Sequence, residues 1–171
     1  MSTTSRLTFR VRAVVPEDAT AICDLLRESI ADCCKADHHD DPVVVARWLA
    51  NKTVENVKQW IAAPDSVALV ALRGDDMLGV ALLSGQDLAL CYVAPRALFQ
   101  GVGKALLRSI EKEASALGVE TMTLDSTKTA LPFYSRNGFL TCGPVRKWAG
   151  LEAQPMSKRL SANGPSTTLP G

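Results

Sequence analysis

Gln100-Gly101-Val102-Gly103-Lys104-Ala105 stands between a strand-like run, Leu88 to Val93, and a long helical pattern. The pattern puts Val102, Leu106, Ile110 and Leu117 near one face, with Ala105 and Ala114 beside them. Arg108, Glu111 and Lys112 fall on other faces, as a half-buried helix requires. Gly118 follows where the pattern stops and suits the residue just past a helix end. The stretch therefore reads strand, turn, helix, with two glycines at the helix mouth. Without a Cβ atom the backbone there can approach a ligand closely and adopt φ values that other residues avoid. The first N–H groups of a helix have no intrahelical acceptor and carry about +0.5 of a charge between them. Such a mouth is suited to a phosphate or pyrophosphate; the other reading is a tight turn that binds nothing.

Two phosphate-binding patterns can be set against it. The Walker pattern needs a glycine five positions before Gly-Lys-Ser/Thr, but Leu98 and Ala105 occupy the deciding positions. The dinucleotide fingerprint needs glycine or alanine where Leu106 stands, although Asp125 lies where a ribose-binding acid would be. Dinucleotide binding is kept as an alternative. It would show as a melting temperature raised by NAD.

The pattern that fits is Q/R-x-x-G-x-G/A, after a strand ending Cys91-Tyr92-Val93-Ala94-Pro95. It is followed about thirty residues later by Ala130-Leu131-Pro132-Phe133-Tyr134-Ser135-Arg136-Asn137-Gly138-Phe139. Together these resemble the GNAT superfamily of acyl-CoA-dependent N-acetyltransferases over roughly residues 86–140. The resemblance implies an α/β fold. Its central sheet is mixed and mostly antiparallel, its middle strands splay apart, helices cover both faces, and acetyl-CoA enters the gap. The rival within the same resemblance is a module that binds acyl-CoA without transferring it. Dimerisation is implied only as a habit of the family.

Length and composition agree with one soluble domain over residues 1–160 and a disordered Ser/Thr/Pro/Gly-rich tail over 161–171. The chain is 47% hydrophobic and 22% charged, with a net charge of +1 that gives no long-range pull toward nucleic acid or an anionic membrane. No apolar run is long enough for a membrane span, and the first residues lack a signal core. The five cysteines, Cys23, Cys33, Cys34, Cys91 and Cys142, show neither a C-x-x-C spacing nor an even count. They are expected to be reduced thiols in a cytoplasmic protein without a structural metal.

In chain order, residues 1–6 read as loose and Thr8 to Val14 as a strand. Pro16 to Cys34 reads as a helix with Ala19, Ile22, Leu25, Leu26 and Ile30 on its apolar face. Ala36 to Pro42 reads as a loop whose bunched acids and histidines admit three uses: a solvated connector, an acidic rim for a cationic amine, or a metal site. Val43–Asn51 and Thr53–Ala63 have helical spacing. Val67–Leu72 and Met77–Leu83 form a hairpin, in which Gly79 predicts a bulge or a close backbone approach. Gln86–Val93 is the next strand, Val119–Leu124 another, and Phe139–Val145 with Pro155–Leu160 a final pair.

Acetyl transfer sets four requirements. By resemblance, the N–H groups of Gly101, Val102, Gly103, Lys104 and Ala105 hold the pyrophosphate, with Gln100 heading the motif and Ser126 among the cofactor contacts. The backbone at Tyr92 and Val93 pairs with the extended pantetheine arm. The amine, with a pKa near 10.4, is about one part in a thousand neutral at pH 7, a handicap of roughly 4–5 kcal/mol. Asp87 stands where several family members place a base, and strand alternation predicts it on one face with Ala89, Cys91 and Val93. Tyr134 occupies the position of the general acid that protonates the leaving thiolate. The acceptor is a small-molecule or peptide amine that the helices between the first two strands leave unspecified.

Overall fold

The computed structural model describes residues 8–161. The expected loose start at residues 1–6 and the tail beyond Ser161 lie outside them. The elements are β1 (Arg10–Ala13), a 3₁₀ turn at Pro16–Asp18, α1 (Ala19–Cys33), α2 (Lys35–His38), α3 (Pro42–Leu49), α4 (Val54–Ala62), β2 (Ser66–Arg73), β3 (Asp76–Ser84) and β4 (Asp87–Val93). They continue as α5 (Val102–Ala116), β5 (Thr121–Ser126), α6 (Leu131–Arg136), β6 (Leu140–Thr141), β7 (Arg146–Trp148) and β8 (Leu151–Arg159). One sheet runs β1-β2-β3-β4-β5-β8-β6, with β7 pairing β8. Every pair is antiparallel except β4 with β5. No helix of the described residues is long and apolar enough to cross a membrane.

The apolar periods of α1 and α5 explain the two layers that cover the sheet. Helix α1 buries Ala19, Ile22, Leu25, Leu26 and Ile30, the face its spacing predicts. Helix α5 buries Val102, Leu106, Leu107, Ile110 and Ala114. Leu117, expected on that face, is instead 65% exposed, because the helix ends at Ala116 and the chain turns through Gly118 at φ +84°. Gly79 is a point of close approach: a Cβ there would lie 2.8 Å from Leu106 Cδ1 and 3.0 Å from Tyr92 O. The bare backbone lets α5 press against β3, which fixes the mouth of α5 beside β4.

Two irregularities decide where side chains point. On β4, Leu90 pairs with Leu82 but Leu88 pairs with Leu83, so Ala89 is an extra residue and the strand bulges there. A bulge reverses face alternation. Asp87 therefore shares a face with Leu90 and Tyr92, not with Cys91 and Val93 as expected. The second irregularity is at the C-terminal end of the sheet. The expected run to Val145 is strand only at β6, and beyond it a hairpin, β7 to β8, turns through Ala149 and Gly150, both at positive φ.

The polar loop of the sequence reading is corrected most. Its first half is α2, and Asp37 and His38 are buried. His38 Nδ1 accepts from the Asp40 N–H at 3.0 Å, so Nε2 carries the proton and donates to Ile30 O at 2.8 Å. Both ring nitrogens are taken by the backbone. This accounts for the histidine structurally, and neither a solvated connector nor a metal ligand describes it.

Candidate active site

Strands β4 and β5 pair only at Asp87 and Thr123, where the Thr123 N–H donates to Gln86 O at 3.0 Å. Beyond that point they part, and a cleft of ≈ 840 Å³ opens between them. Ser29, Cys33 and Cys34 of α1 and its end lie on one side. Gly101 to Lys104 lie at the mouth of α5, and Thr127 to Asn137 around α6. The edge of β4 that faces the gap has no ladder partner past Asp87. Ala94 N–H donates to Leu78 O of β3, so alternation turns the amide groups of Tyr92 toward β3 and those of Cys91 and Val93 toward the gap. The backbone available to an extended ligand is thus at Cys91 and Val93; Tyr92, expected to share that role, contributes its side chain to the wall. Val93 O already accepts from Ser29 Oγ at 3.0 Å, which ties α1 to the end of β4.

At the mouth, Gly101 is the N-cap of α5 at φ +83°, a value that glycine alone adopts without strain. Ala105 N–H makes the first helical bond, to Gly101 O at 3.1 Å. The N–H groups of Val102, Gly103 and Lys104 precede that ladder and point out of the helix end. Ala105, expected among the donors, is therefore excluded by its own helix. Gly103 has no such φ, and a Cβ there would sit in ordinary contact, 3.4 Å from the Phe133 ring and 3.5 Å from Val93 Cγ2. Lys104 and Arg136 also line the cleft and supply positive charge near its mouth.

Gln100 and Ser126 do not reach the cleft. Gln100 accepts from Arg73 Nη2 at 2.7 Å and donates to Arg96 O at 3.1 Å, holding the turn before α5 in shape. Ser126 is buried on the α5 side of β5, and its hydroxyl donates to Thr127 O at 2.8 Å. Asp87 also lies outside the cleft lining, its Oδ1 accepting from Thr123 Oγ1 at 2.9 Å.

Tyr134 is 7% exposed and lines the cleft beside Cys91. Burial, and after it the neighbouring Cys91 and Tyr92, hold its phenol well above the ordinary value, so the hydroxyl keeps its proton through neutral pH. Burial likewise pushes the Cys91 thiol up to about 12, which leaves it a neutral neighbour rather than a nucleophile. Edge-to-face contacts with Phe133 and Phe139, at 5.2 and 5.6 Å between centroids, fix the Tyr134 ring.

Three residues of the site are not among those expected for acetyl transfer, although the sequence admits Asp125 as a ribose-binding acid. Asp125 is the carboxylate that lines the cleft; its signal was the alternation of Thr121, Thr123 and Asp125 against Met122 and Leu124. Arg136 sits one turn beyond Phe133 on α6 and needed the helix register to be found. Asp37 of α2 accepts from the N–H groups of Lys128 (2.6 Å) and Thr129 (3.2 Å) and from Thr129 Oγ1, which anchors the loop leading into α6. Asp37→Ala removes all three hydrogen bonds that the buried carboxylate accepts. We expect a loss of about 3 kcal/mol, read by thermal unfolding as a Tm lower by roughly 6–12 °C.

The acetyltransferase (GNAT) domain family matches residues 34–160. Peptidyl-lysine N-acetyltransferase YiaC of Escherichia coli (strain K12) is 26% identical over 133 residues, 75% of this chain and 82% of that protein. A GCN5-related N-acetyltransferase from Rhodopseudomonas palustris superposes with a TM-score of 0.80 at 24% identity, covering 90% of this chain and 96% of that one. PaiA N-acetyltransferase from Thermoplasma acidophilum, solved in complex with coenzyme A, gives 0.75 at 20% identity, with 89% and 99% covered. At these identities the two structures speak for the fold alone.

Proposed function

The chain belongs to the GNAT acetyltransferase family, and from that premise we propose that it moves an acetyl group from acetyl-CoA to a primary amine by direct attack, with Tyr134 as general acid. One observation carries this reading. The wedge between β4 and β5 has unpaired helix amides at its mouth, an unladdered strand edge along its side and a protonated, buried phenol within it. Those are the parts needed to hold a diphosphate, to pair with an amide-bearing arm and to donate to a leaving sulfur, in that order along one ligand.

The residues fit acetyl-CoA in size as well as chemistry, since ≈ 840 Å³ lies within the range of small-molecule sites. Val102, Gly103 and Lys104 N–H groups would hold the pyrophosphate, with Lys104 and Arg136 balancing its charge. Val93 N–H and the Cys91 amide would pair with the pantetheine arm. The amine nitrogen forms a bond to the thioester carbonyl carbon and the C–S bond breaks. Tyr134 gives its proton to the departing thiolate, and the phenol recovers one from the nitrogen. Burial keeps Cys91 and Cys34 of the cleft as neutral thiols, which weakens both as competing nucleophiles for the acetyl group. All five cysteines are unpaired thiols, which supports the cytoplasmic setting proposed for it.

The lysine acceptor named for the Escherichia coli relative makes a lysine side chain the first amine to try. The experiment is a panel of acceptors assayed by thiol release from acetyl-CoA: a lysine blocked at its α-amine and carboxyl, free amino acids, polyamines and an aminoglycoside. Amine-dependent release with a matching acetylated product supports the reading. Tight acetyl-CoA binding with no acceleration by any amine assigns the chain to acyl-CoA binding without transfer.

A further inference from the structure

We propose that Asp125 is the carboxylate that receives the cationic acceptor amine and takes up its proton; this rests on the transferase reading above. The sheet register carries the assignment. Thr123 and Asp125 alternate with Met122 and Leu124 on β5 and so share a face. Asp87 is on that same face, because its carboxylate accepts from Thr123 Oγ1 and the bulge at Ala89 separates it from Cys91 and Val93. Asp87 and Thr123 are the last paired positions of β4 and β5. Asp87 therefore sits at the closed end of the wedge with one oxygen bonded. Asp125 lies two residues, about 7 Å, beyond the parting, where the wedge is open and the side chain lines it.

The face is also the correct one. Lys158, paired with Met122, reaches Glu111 of α5, so the Met122 side of β5 looks toward the α5 layer. Asp125 looks the opposite way, so an amine approaching over it comes at the wedge from the side opposite the α5 mouth. The charged groups around it are few. Arg146 of β7 stands 3.9 Å from its Oδ2 in an exposed and weak pair, and an incoming ammonium could replace it. Lys128 and Glu152 pair with each other at 3.2 Å. Asp37 of α2 is engaged by Lys128 and Thr129, and Asp87 by Thr123.

The proton count closes. An ammonium enters with three protons on nitrogen. One passes to Asp125 and on to solvent, one passes by way of Tyr134 to the thiolate, and one stays on the amide. Nothing is oxidised or reduced.

The test is kcat/KM against pH for acetyl transfer to the blocked lysine by the parent protein, Asp125→Asn and Asp87→Asn, with acetyl-CoA affinity followed by calorimetry. Asp125→Asn is expected to lose about a hundredfold or more at pH 7. The gap should narrow toward pH 10, where the amine deprotonates without help, and acetyl-CoA affinity should be unchanged. Asp87→Asn is expected to follow the parent's profile. An Asp125→Asn profile that superimposes on the parent's, or the neutral-pH loss appearing in Asp87→Asn instead, overturns the assignment and leaves the transferase reading standing. If the parent releases no thiol with any amine of the panel, that reading falls and this assignment with it.

Discussion

Tyr134→Phe is expected to lower kcat by about a hundredfold or more while acetyl-CoA affinity stays within error. The phenyl ring preserves both edge-to-face contacts, so the packing that seats α6 survives. What disappears is the hydroxyl, the buried donor beside Cys91. A CoA thiolate of ordinary pKa, near 8.5, leaves more slowly without a proton in reach. Steady-state kinetics with the best amine of the panel, and calorimetry with acetyl-CoA, separate the two effects. Because burial holds the phenol above its ordinary value, turnover of the parent should not decline through loss of this proton up to about pH 10. Unchanged kcat in the variant would remove Tyr134 from the chemistry.

The second large effect is on binding. Gly103→Asp places a carboxylate beside the amides of Val102 to Lys104, where the pyrophosphate is proposed to sit. At about 4 Å and an effective dielectric near 20, one charge pair repels by about 4 kcal/mol, roughly a thousandfold in Kd. Gly103→Ala is the control. Its Cβ would meet Phe133 and Val93 at 3.4 and 3.5 Å, ordinary contact distances, so affinity should change little. Gly101→Ala differs again, because φ +83° strains any side chain, by about 1–2 kcal/mol. Calorimetry on the three variants distinguishes a phosphate seat from a mere turn. Retained acetyl-CoA affinity in Gly103→Asp contradicts the seat.

What the sequence made legible was local. Gly101 and Gly103 announced a helix mouth because backbone freedom and bare amides are properties of a few adjacent residues. The faces of α1 and α5 followed from a 3.6-residue period. What stayed hidden depended on partners far along the chain. Leu88-Ala89-Leu90 is uniformly apolar, so nothing in it marks the bulge that turns Asp87 away from Cys91 and Val93. Asp37 was read as loop because its neighbours are polar, while the donors it accepts from are on Lys128 and Thr129, 91 and 92 positions away. The β7–β8 turn uses Ala149 where asparagine would have signalled positive φ, so that hairpin was missed. Ala105 shows that a motif is not a donor set, since one of its amides closes the first turn of the helix.

The hydrogen bonds from the Lys128–Thr129 segment to Asp37 join the short helix after α1 to the loop that leads into α6. A shift of that short helix is therefore passed on to the segment that seats Tyr134. Transplanting residues 35–41 from a relative should also shift the phenol unless the graft carries a carboxylate at its third position, where Asp37 stands.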